Sequence, residues 1–394
     1  MIVTLLGLFV KPLSYLVPVK HKSWIFGADC GNMYREGSKY MLEYMLANHP
    51  DYDCTFITRN PQVKKELDQK GIPCELNFSF RGIWKVLRSE YVFTTQVATD
   101  ILLVYKKKKR TFIYLCHGQP YKAVFLATPK EYSEKTKKNY NPLVALWKKF
   151  TCSMSFGYDF VDSKFFISTS EYLVKYNKMY FGDNSDIRIL GMPRNDGLFD
   201  DKKMKSERWL NKLENKFVVT YMPTHRDYGR GKTSPVPFLY NDGAQQWMRE
   251  NNVVLVVKQH PNMEYKTNVA NNSDVIIDVS KMKFDPQVVL YHSDVLITDF
   301  SSVWIDYLIL QRPLLFYVYD NYEVEDTGKL YDIRKDPPGH FCYNEYELLR
   351  MIERTRNNYE EMKPSFHILK KYHKYLDGYS CERLFLSIME DENA

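Results

Sequence analysis

No two cysteines in this 394-residue chain form a CxxC pair. The seven present (Cys30, Cys54, Cys74, Cys116, Cys152, Cys342 and Cys381) are odd in number and widely scattered. That distribution argues against a disulfide framework and against a structural zinc site, and it makes a cytoplasmic setting the default. GxGxxG and Walker-type glycine loops are also missing, so dinucleotide hydride transfer and ATP hydrolysis lose support. Neither HExxH nor a DxD following a strand occurs, so neither a metal nor another cofactor is expected. The most apolar stretch, Met1 to Val19, is marginal in length for a membrane span and carries Pro12 and Pro18. No small-residue cleavage site follows it, which disfavours a secretory signal. Internal repeats and low-complexity tracts are lacking.

What the chain does have is aromatic bulk and uneven charge. Aromatic residues make up 15% of it, with 31 Tyr and 23 Phe. Such a surplus either fills cores or serves half-wet sites such as a sugar cleft or a membrane rim. Net charge is +7, but Met1 to Leu190 holds 28 Lys and Arg against 17 Asp and Glu, a balance of +11, and the remainder stands at −4. A basic half suits an anionic lipid surface, a nucleic acid or a polyanionic product. The densest run, Lys106 to Arg110, reads equally as a solvated loop tip. Nucleic acid is the weakest of these partners, because the run lacks interleaved aromatics and any recognised binding module. Residues 1–22, apolar and then basic at Lys20 and Lys22, read as an in-plane membrane-associating helix, with a packed N-terminal helix as the alternative.

At this length two domains are expected. Short apolar, β-branched and aromatic runs alternate with helical patterns. The first series is Ser23–Phe26, Cys54–Thr58, Tyr91–Thr94, Phe112–Leu115 and Phe165–Thr169. The second is Phe217–Tyr221, Val253–Val257, Val275–Val279, Val295–Thr298 and Leu314–Tyr317. Runs of this kind indicate parallel strands buried on both faces, hence an α/β class with two Rossmann-like domains. Gly191, Pro193, Asn195 and Gly197 mark the junction. A helical stretch is expected from Asn357 to Glu390.

Ligands of open α/β sheets bind at the carboxyl ends of strands. Four such ends carry polar turns. His117-Gly118-Gln119-Pro120 follows the fourth run, and His117 is either a structural loop histidine or a proton acceptor. Thr224-His225-Arg226-Asp227 follows Phe217–Tyr221, and its donors suit phosphate oxygens unless Arg226 and Asp227 merely pair with each other. Lys258-Gln259-His260-Pro261 follows Val253–Val257, with Pro261 restricting the backbone at His260. Thr298-Asp299-Phe300-Ser301-Ser302 ends a buried strand and opens a helix, where free N–H groups and hydroxyls either cap the helix or hold an anion.

These segments, in this order, resemble the signatures of the CDP-glycerol glycerophosphotransferases, the teichoic acid primase and polymerase family. His117–Pro120 is similar to HGTP, with Gln119 in place of Thr. Gly191-Met192-Pro193-Arg194-Asn195-Asp196 is similar to GxPRND, and Pro223–Asp227 to PT(W/F)RD, with His225 replacing the aromatic. His260-Pro261 and Thr298–Ser302 are similar to HP and TDYSS. Asp306-Tyr307, Arg312-Pro313, Tyr331-Asp332 and Pro338-Gly339 also fit, so the likeness runs from about Trp24 to Leu349.

The resemblance implies a GT-B-like arrangement, two Rossmann-type domains with an interdomain cleft. Residues 23–190 would form an acceptor and membrane-facing domain, 191–356 a CDP-donor domain and 357–394 a C-terminal helical segment. It implies transfer of a polyol phosphate, most simply glycerol phosphate, from a CDP-polyol to a lipid-linked teichoic acid or capsule-type acceptor, with release of CMP. The work would be done at the cytoplasmic face of the membrane, and self-association is left open. His117 and His260 would be catalytic. Arg194, His225, Arg226, Lys258, Thr298, Ser301 and Ser302 would hold phosphate, with Asp299 and Asp306 as candidate orienting groups. The alternatives are a nucleotide-sugar glycosyltransferase and a non-catalytic, membrane-bound scaffold of polymer assembly.

Overall fold

The computed structural model describes residues 2–96, 98–128, 130, 141–204, 213–224, 235–259, 273–282, 285–319 and 328–393. Helix α1 (Ile2–Leu16) precedes an alternating series: β1 (Ser23–Phe26), α2 (Glu36–Asn48), β2 (Asp53–Thr58), α3 (Pro61–Gln69), β3 (Cys74–Leu76), α4 (Phe80–Arg88), β4 (Tyr91–Thr94), β5 (Thr111–Tyr114), α5 (Pro142–Ser155), β6 (Ser163–Ser168), α6 (Glu171–Phe181) and β7 (Ile187–Ile189). All seven strands are parallel, in the order β3-β2-β1-β4-β5-β6-β7.

A 3₁₀ segment at Pro193–Phe199 leads to the second series. It comprises β8 (Phe217–Tyr221), α7 (Asp242–Glu250), β9 (Val253–Val257), β10 (Ile276–Asp278), α8 (Pro286–Tyr291), β11 (Val295–Thr298), α9 (Val303–Leu308), β12 (Leu314–Tyr317) and β13 (His340–Cys342). These six strands are parallel too, in the order β10-β9-β8-β11-β12-β13. Each sheet therefore reverses its strand order once, between β1 and β4 in the first and between β8 and β11 in the second. Crevices open beside such reversals.

Local chemistry explains the elements. The strand VVLVV of β9 is buried throughout, as a parallel strand covered on both faces must be. Asn60, Ser79, Asn141 and Asn241 each accept a backbone N–H at a helix start, which offsets the unpaired donors there. Strands β3, β7 and β13 were not among the expected runs. Each is three residues long and lies at or near a sheet edge, too short to show a period. The other strands match the expected runs to within two residues at either end.

The chain returns to its beginning. After α10 (Glu345–Asn357) and α11 (Phe366–Tyr372), helix α12 (Ser380–Asn393) packs Cys381, Leu384, Phe385 and Ile388 into the core of the first sheet. Phe385 stacks on His49 at 3.8 Å and lies 6.0 Å from Trp24. The terminal helical segment is thus part of the first sheet's core.

Helix α1 continues through Pro12 and stops before Pro18. It lies against α5, where a Cβ at Gly7 would come within 2.1 Å of the Met154 carbonyl oxygen. Only Gly allows that approach. Its other side is bare: Ile2, Leu5, Leu8, Phe9, Leu13 and Leu16 are exposed, as are Leu143, Leu146 and Trp147 of α5. The helix is therefore packed on one side and uncovered on the other. No described helix is long and apolar enough to cross a membrane.

The basic run 106–110 is only partly a solvated tip. Arg110 is buried and donates to the carbonyls of Val86, Leu87, Ser89 and Tyr105, satisfying the end of α4. Lys107 donates to the Val17 carbonyl at 2.9 Å and also to that of Leu87.

Candidate active site

A cavity of about 600 Å3 is lined from both sheets. The first sheet contributes loops after β1, β4 and β5. The second contributes loops after β8, β9 and β11. Both sets lie at carboxyl ends of strands beside the order reversals.

His117 stands two residues beyond the β5 end. Leu115 N–H still bonds the Thr94 carbonyl at 2.7 Å. Cys116 then takes a φ of +56° and turns the chain, leaving the His117 ring exposed to the cavity. A hydrogen bond to the Thr95 backbone engages the imidazole. Thr95 is itself fixed, because the buried Asp100 carboxylate accepts N–H groups from Thr95 at 2.8 Å, Gln96 at 2.9 Å and Cys30 at 2.7 Å. Although solvent reaches the ring through the cavity mouth, the protein packed around it and the Arg194 guanidinium disfavour the imidazolium. Together they lower its pKa to about 4. The ordinary value near neutrality, expected from the sequence, therefore does not hold, and His117 is neutral at physiological pH.

Gly118 brings the halves into contact. A Cβ there would lie 2.7 Å from the Ser302 hydroxyl. Ser301 and Ser302 both line the cavity ahead of α9. Ser302 makes no side-chain cap, and Ser301 reaches the Val303 N–H only at 3.4 Å. The capping reading of Ser302 is thereby removed, and that of Ser301 is weak.

Lys258 and Gln259, after β9, face the same cavity. Burial, with the Arg35 charge nearby, lowers Lys258 to about 8. Thr298, expected to hold phosphate, is fully buried and donates its hydroxyl to the Met222 carbonyl at 2.7 Å. It does not line the cavity, which corrects its assignment: it holds the loop after β8. Asp299 is likewise buried and accepts the Thr224 N–H at 2.6 Å, so it orients backbone between the two loops.

Arg194 also differs from its expected role. One guanidinium nitrogen donates to Glu36 at 2.9 Å and to the His117 carbonyl, and another donates to Asp306. Asn195 donates to the second Asp306 oxygen at 2.9 Å, and Asp196 accepts the N–H groups of Ser380 and Cys381 at the start of α12. The GMPRND turn is therefore a bracket. It ties α2, the histidine loop, α9 and α12 to one another, with Arg194 engaged by two buried carboxylates. Asp306 accepts from both Arg194 and Asn195.

His260, His225 and Arg226 lie outside the described residues, next to Gln259 and Thr224, which line the cavity. Reading the four polar strand ends missed Arg35, Glu36 and Gln96. They sit on the loops after β1 and β4, and a charged residue ten positions beyond a strand carries no local signal of where it will point. Gln119 turns inward to the Ile167 carbonyl at 3.2 Å. Among the described residues no group of three or more His, Cys, Asp or Glu side chains could hold a metal ion. All seven cysteines are free.

Comparison with known sequences decides the lineage. The family described as CDP-Glycerol:Poly(glycerophosphate) glycerophosphotransferase matches residues 9–390. The chain belongs to this family. Among curated members of this glycerophosphotransferase family, the teichoic acid poly(glycerol phosphate) polymerase of Bacillus subtilis (strain 168) is 26% identical over 95% of this chain and 50% of its own length. The chain thus spans about half of that relative. The teichoic acid glycerol-phosphate primase of the same organism is 29% identical over 82% of this chain and 79% of its own. The teichoic acid glycerol-phosphate transferase of Staphylococcus aureus (strain NCTC 8325 / PS 47) is 25% identical over 91% of each. The solved structure of the wall teichoic acid polymerase TagF superposes with a TM-score of 0.71 at 22% identity, covering 95% of this chain and 89% of that one. A UDP-GlcNAc 2-epimerase from Neisseria meningitidis superposes at 0.55 and 9% identity, covering 95% and 100%. The glycerophosphotransferase fold is therefore the two-sheet α/β, GT-B-like arrangement that the resemblance implied.

Proposed function

We propose that this glycerophosphotransferase moves a polyol phosphate from a CDP-polyol, most simply CDP-glycerol, onto a hydroxyl of a lipid-linked teichoic acid-type acceptor. The observation that carries the reading is a neutral imidazole and a buried lysine, from opposite sheets, lining one cavity in a member of this family. In the reaction the acceptor oxygen attacks the β-phosphorus while its proton passes to His117. The bond between the β-phosphorus and the bridging oxygen breaks, and CMP leaves with that oxygen. Phosphoryl transfer asks mainly for positioning and for charge to offset the leaving phosphate. Lys258, Ser301 and Ser302 would supply part of that. His260, His225 and Arg226, by their place in the chain, would supply the rest. The division of labour follows the sheets, with acceptor chemistry on 23–190 and donor binding on 191–356.

Attachment to the cytoplasmic face of the membrane is part of the same proposal. The uncovered apolar sides of α1 and α5, beside Lys148 and Lys149, support it, because contiguous exposed apolar surface marks an interaction site. The test is a donor panel. Purified protein incubated with a lipid-linked acceptor should release CMP from CDP-glycerol or CDP-ribitol, with a product heavier by one or more polyol phosphate units. Release of UDP or GDP from nucleotide sugars, with no CMP from either CDP-polyol, would refute the proposal.

A further inference from the structure

Arg35 reaches the cavity from the first sheet. It lies on the loop between β1 and α2, immediately before Glu36, and is about nine-tenths buried. One terminal nitrogen, Nη2, donates to Asp29 at 2.5 Å, and Asp29 is braced by the Gln96 amide at 3.3 Å. Nε, on the edge it shares with Nη2, is buried without a hydrogen-bond partner, and no described residue accepts from Nη1, the terminal nitrogen on the other edge. A buried guanidinium left with unpaired donors is costly unless something else completes it.

The charges around it narrow what that can be. Among the described residues four cations line the cavity, Arg35, Lys122, Arg194 and Lys258, against two carboxylates, Glu36 and Asp306. Arg194 engages both carboxylates. Glu36, although next in sequence, makes no ion pair with Arg35. Lys258 lines the same cavity from the second sheet, and burial first and the Arg35 charge second hold it below its ordinary pKa, against the opposing pull of Asp285 and Asp278. Two cations facing each other in a poorly solvated place repel, and an anion between them reverses the sign of that interaction. The unengaged Nη1 donors of the guanidinium suit a phosphoryl oxygen.

We infer that Arg35 and Lys258 form a cation clamp spanning the two sheets, closing on a phosphoryl group that supplies an acceptor for Nη1 of Arg35. This rests on the phosphotransfer reading and adds to it a phosphate-binding residue on the acceptor side of the cleft. The phosphate has two sources, the diphosphate of the donor or the terminal phosphodiester of a glycerol phosphate-primed acceptor, and the chemistry of the clamp is the same for both.

The experiment is calorimetric titration of CDP-glycerol, together with steady-state kinetics varying a glycerol phosphate-terminated acceptor. Wild type, Arg35→Gln, Arg35→Lys and Lys258→Gln are compared, and thermal unfolding of each is recorded in parallel. Loss of a charge-assisted hydrogen bond together with the charge predicts a roughly 10- to 100-fold weakening in Arg35→Gln, with an unfolding midpoint near that of wild type. Arg35→Lys should recover only part of the loss, since a lysine ammonium keeps the charge but cannot serve Asp29 and the phosphoryl group from two separate nitrogens. A weakened donor affinity assigns the clamp to the donor diphosphate, and a raised acceptor KM at unchanged donor affinity assigns it to the acceptor phosphate. Wild-type affinity and KM in Arg35→Gln would overturn the inference while leaving the phosphotransfer reading intact. Failure of the wild type itself to bind CDP-glycerol would overturn that reading, and the clamp with it. If Arg35→Gln does not fold, Asp29→Asn, which frees the guanidinium without removing it, takes its place, and unchanged binding there counts against the inference.

Discussion

His117 and Lys258 carry opposite messages about protonation, and together they set a pH window. An imidazole held at about 4 accepts a proton at any higher pH and fails below it. A lysine held at about 8 keeps its charge below that value and loses it above. The kcat/KM for CMP release should therefore rise through about pH 4 and fall through about pH 8. The alkaline limb of kcat should lie higher, because a bound phosphate favours the charged lysine. A single limb near the ordinary histidine value would contradict the electrostatics of the cleft. Arg194 belongs to stability instead. Arg194→Leu strands two buried carboxylates and should cost about 3–5 kcal/mol in chemical denaturation; a loss confined to activity would speak for a ligand-binding role. At this scale His117 and Lys258 were legible as polar residues at strand ends. The bracket formed by Arg194 was not, because Glu36 and Asp306 lie 158 and 112 residues away in sequence and meet it only through the packing of α2 and α9.

Elements decide how closely the two halves approach. The loop after β5 and the start of α9 touch at Gly118, where there is no room for a methyl group against the Ser302 hydroxyl. Gly118→Ala should leave the unfolding midpoint nearly unchanged but lower kcat by roughly 10- to 100-fold, since small misplacements of a proton acceptor are expensive. An unaltered kcat would mean that the two loops need not be in register. The long strands could be read from the sequence because parallel strands buried on both faces form unbroken apolar runs. The three-residue strands β3, β7 and β13 could not, since their existence depends on a neighbour offering an edge. Helix α1 shows a different failure. Pro12 weakens a helix by removing one hydrogen bond and crowding the turn before it, yet packing of Gly7, Val10 and Ser14 against neighbouring elements carries the helix past it.

On the scale of the whole molecule, the ends are joined. Helix α12 closes the first sheet, and Asp196 at the junction between the sheets holds its start, so the chain is locked where the cleft could otherwise splay. The uncovered side of the α1–α5 pair lies on the same sheet as His117, which would set an acceptor-binding face towards a lipid surface. Leu5→Glu combined with Phe9→Glu should reduce flotation with anionic vesicles several-fold while sparing turnover on a soluble acceptor. Undiminished flotation would remove α1 from the membrane contact.

In the proposed reaction both sheets act on one diphosphate, with His117 taking the proton of the attacking hydroxyl. The most direct test is single-turnover CMP release from CDP-glycerol in the presence of acceptor, comparing wild type with His117→Ala after both have been shown to bind CDP-glycerol equally. Loss of the proton acceptor should lower the rate by about 10²- to 10⁴-fold in the variant. Equal rates at equal donor occupancy would contradict it.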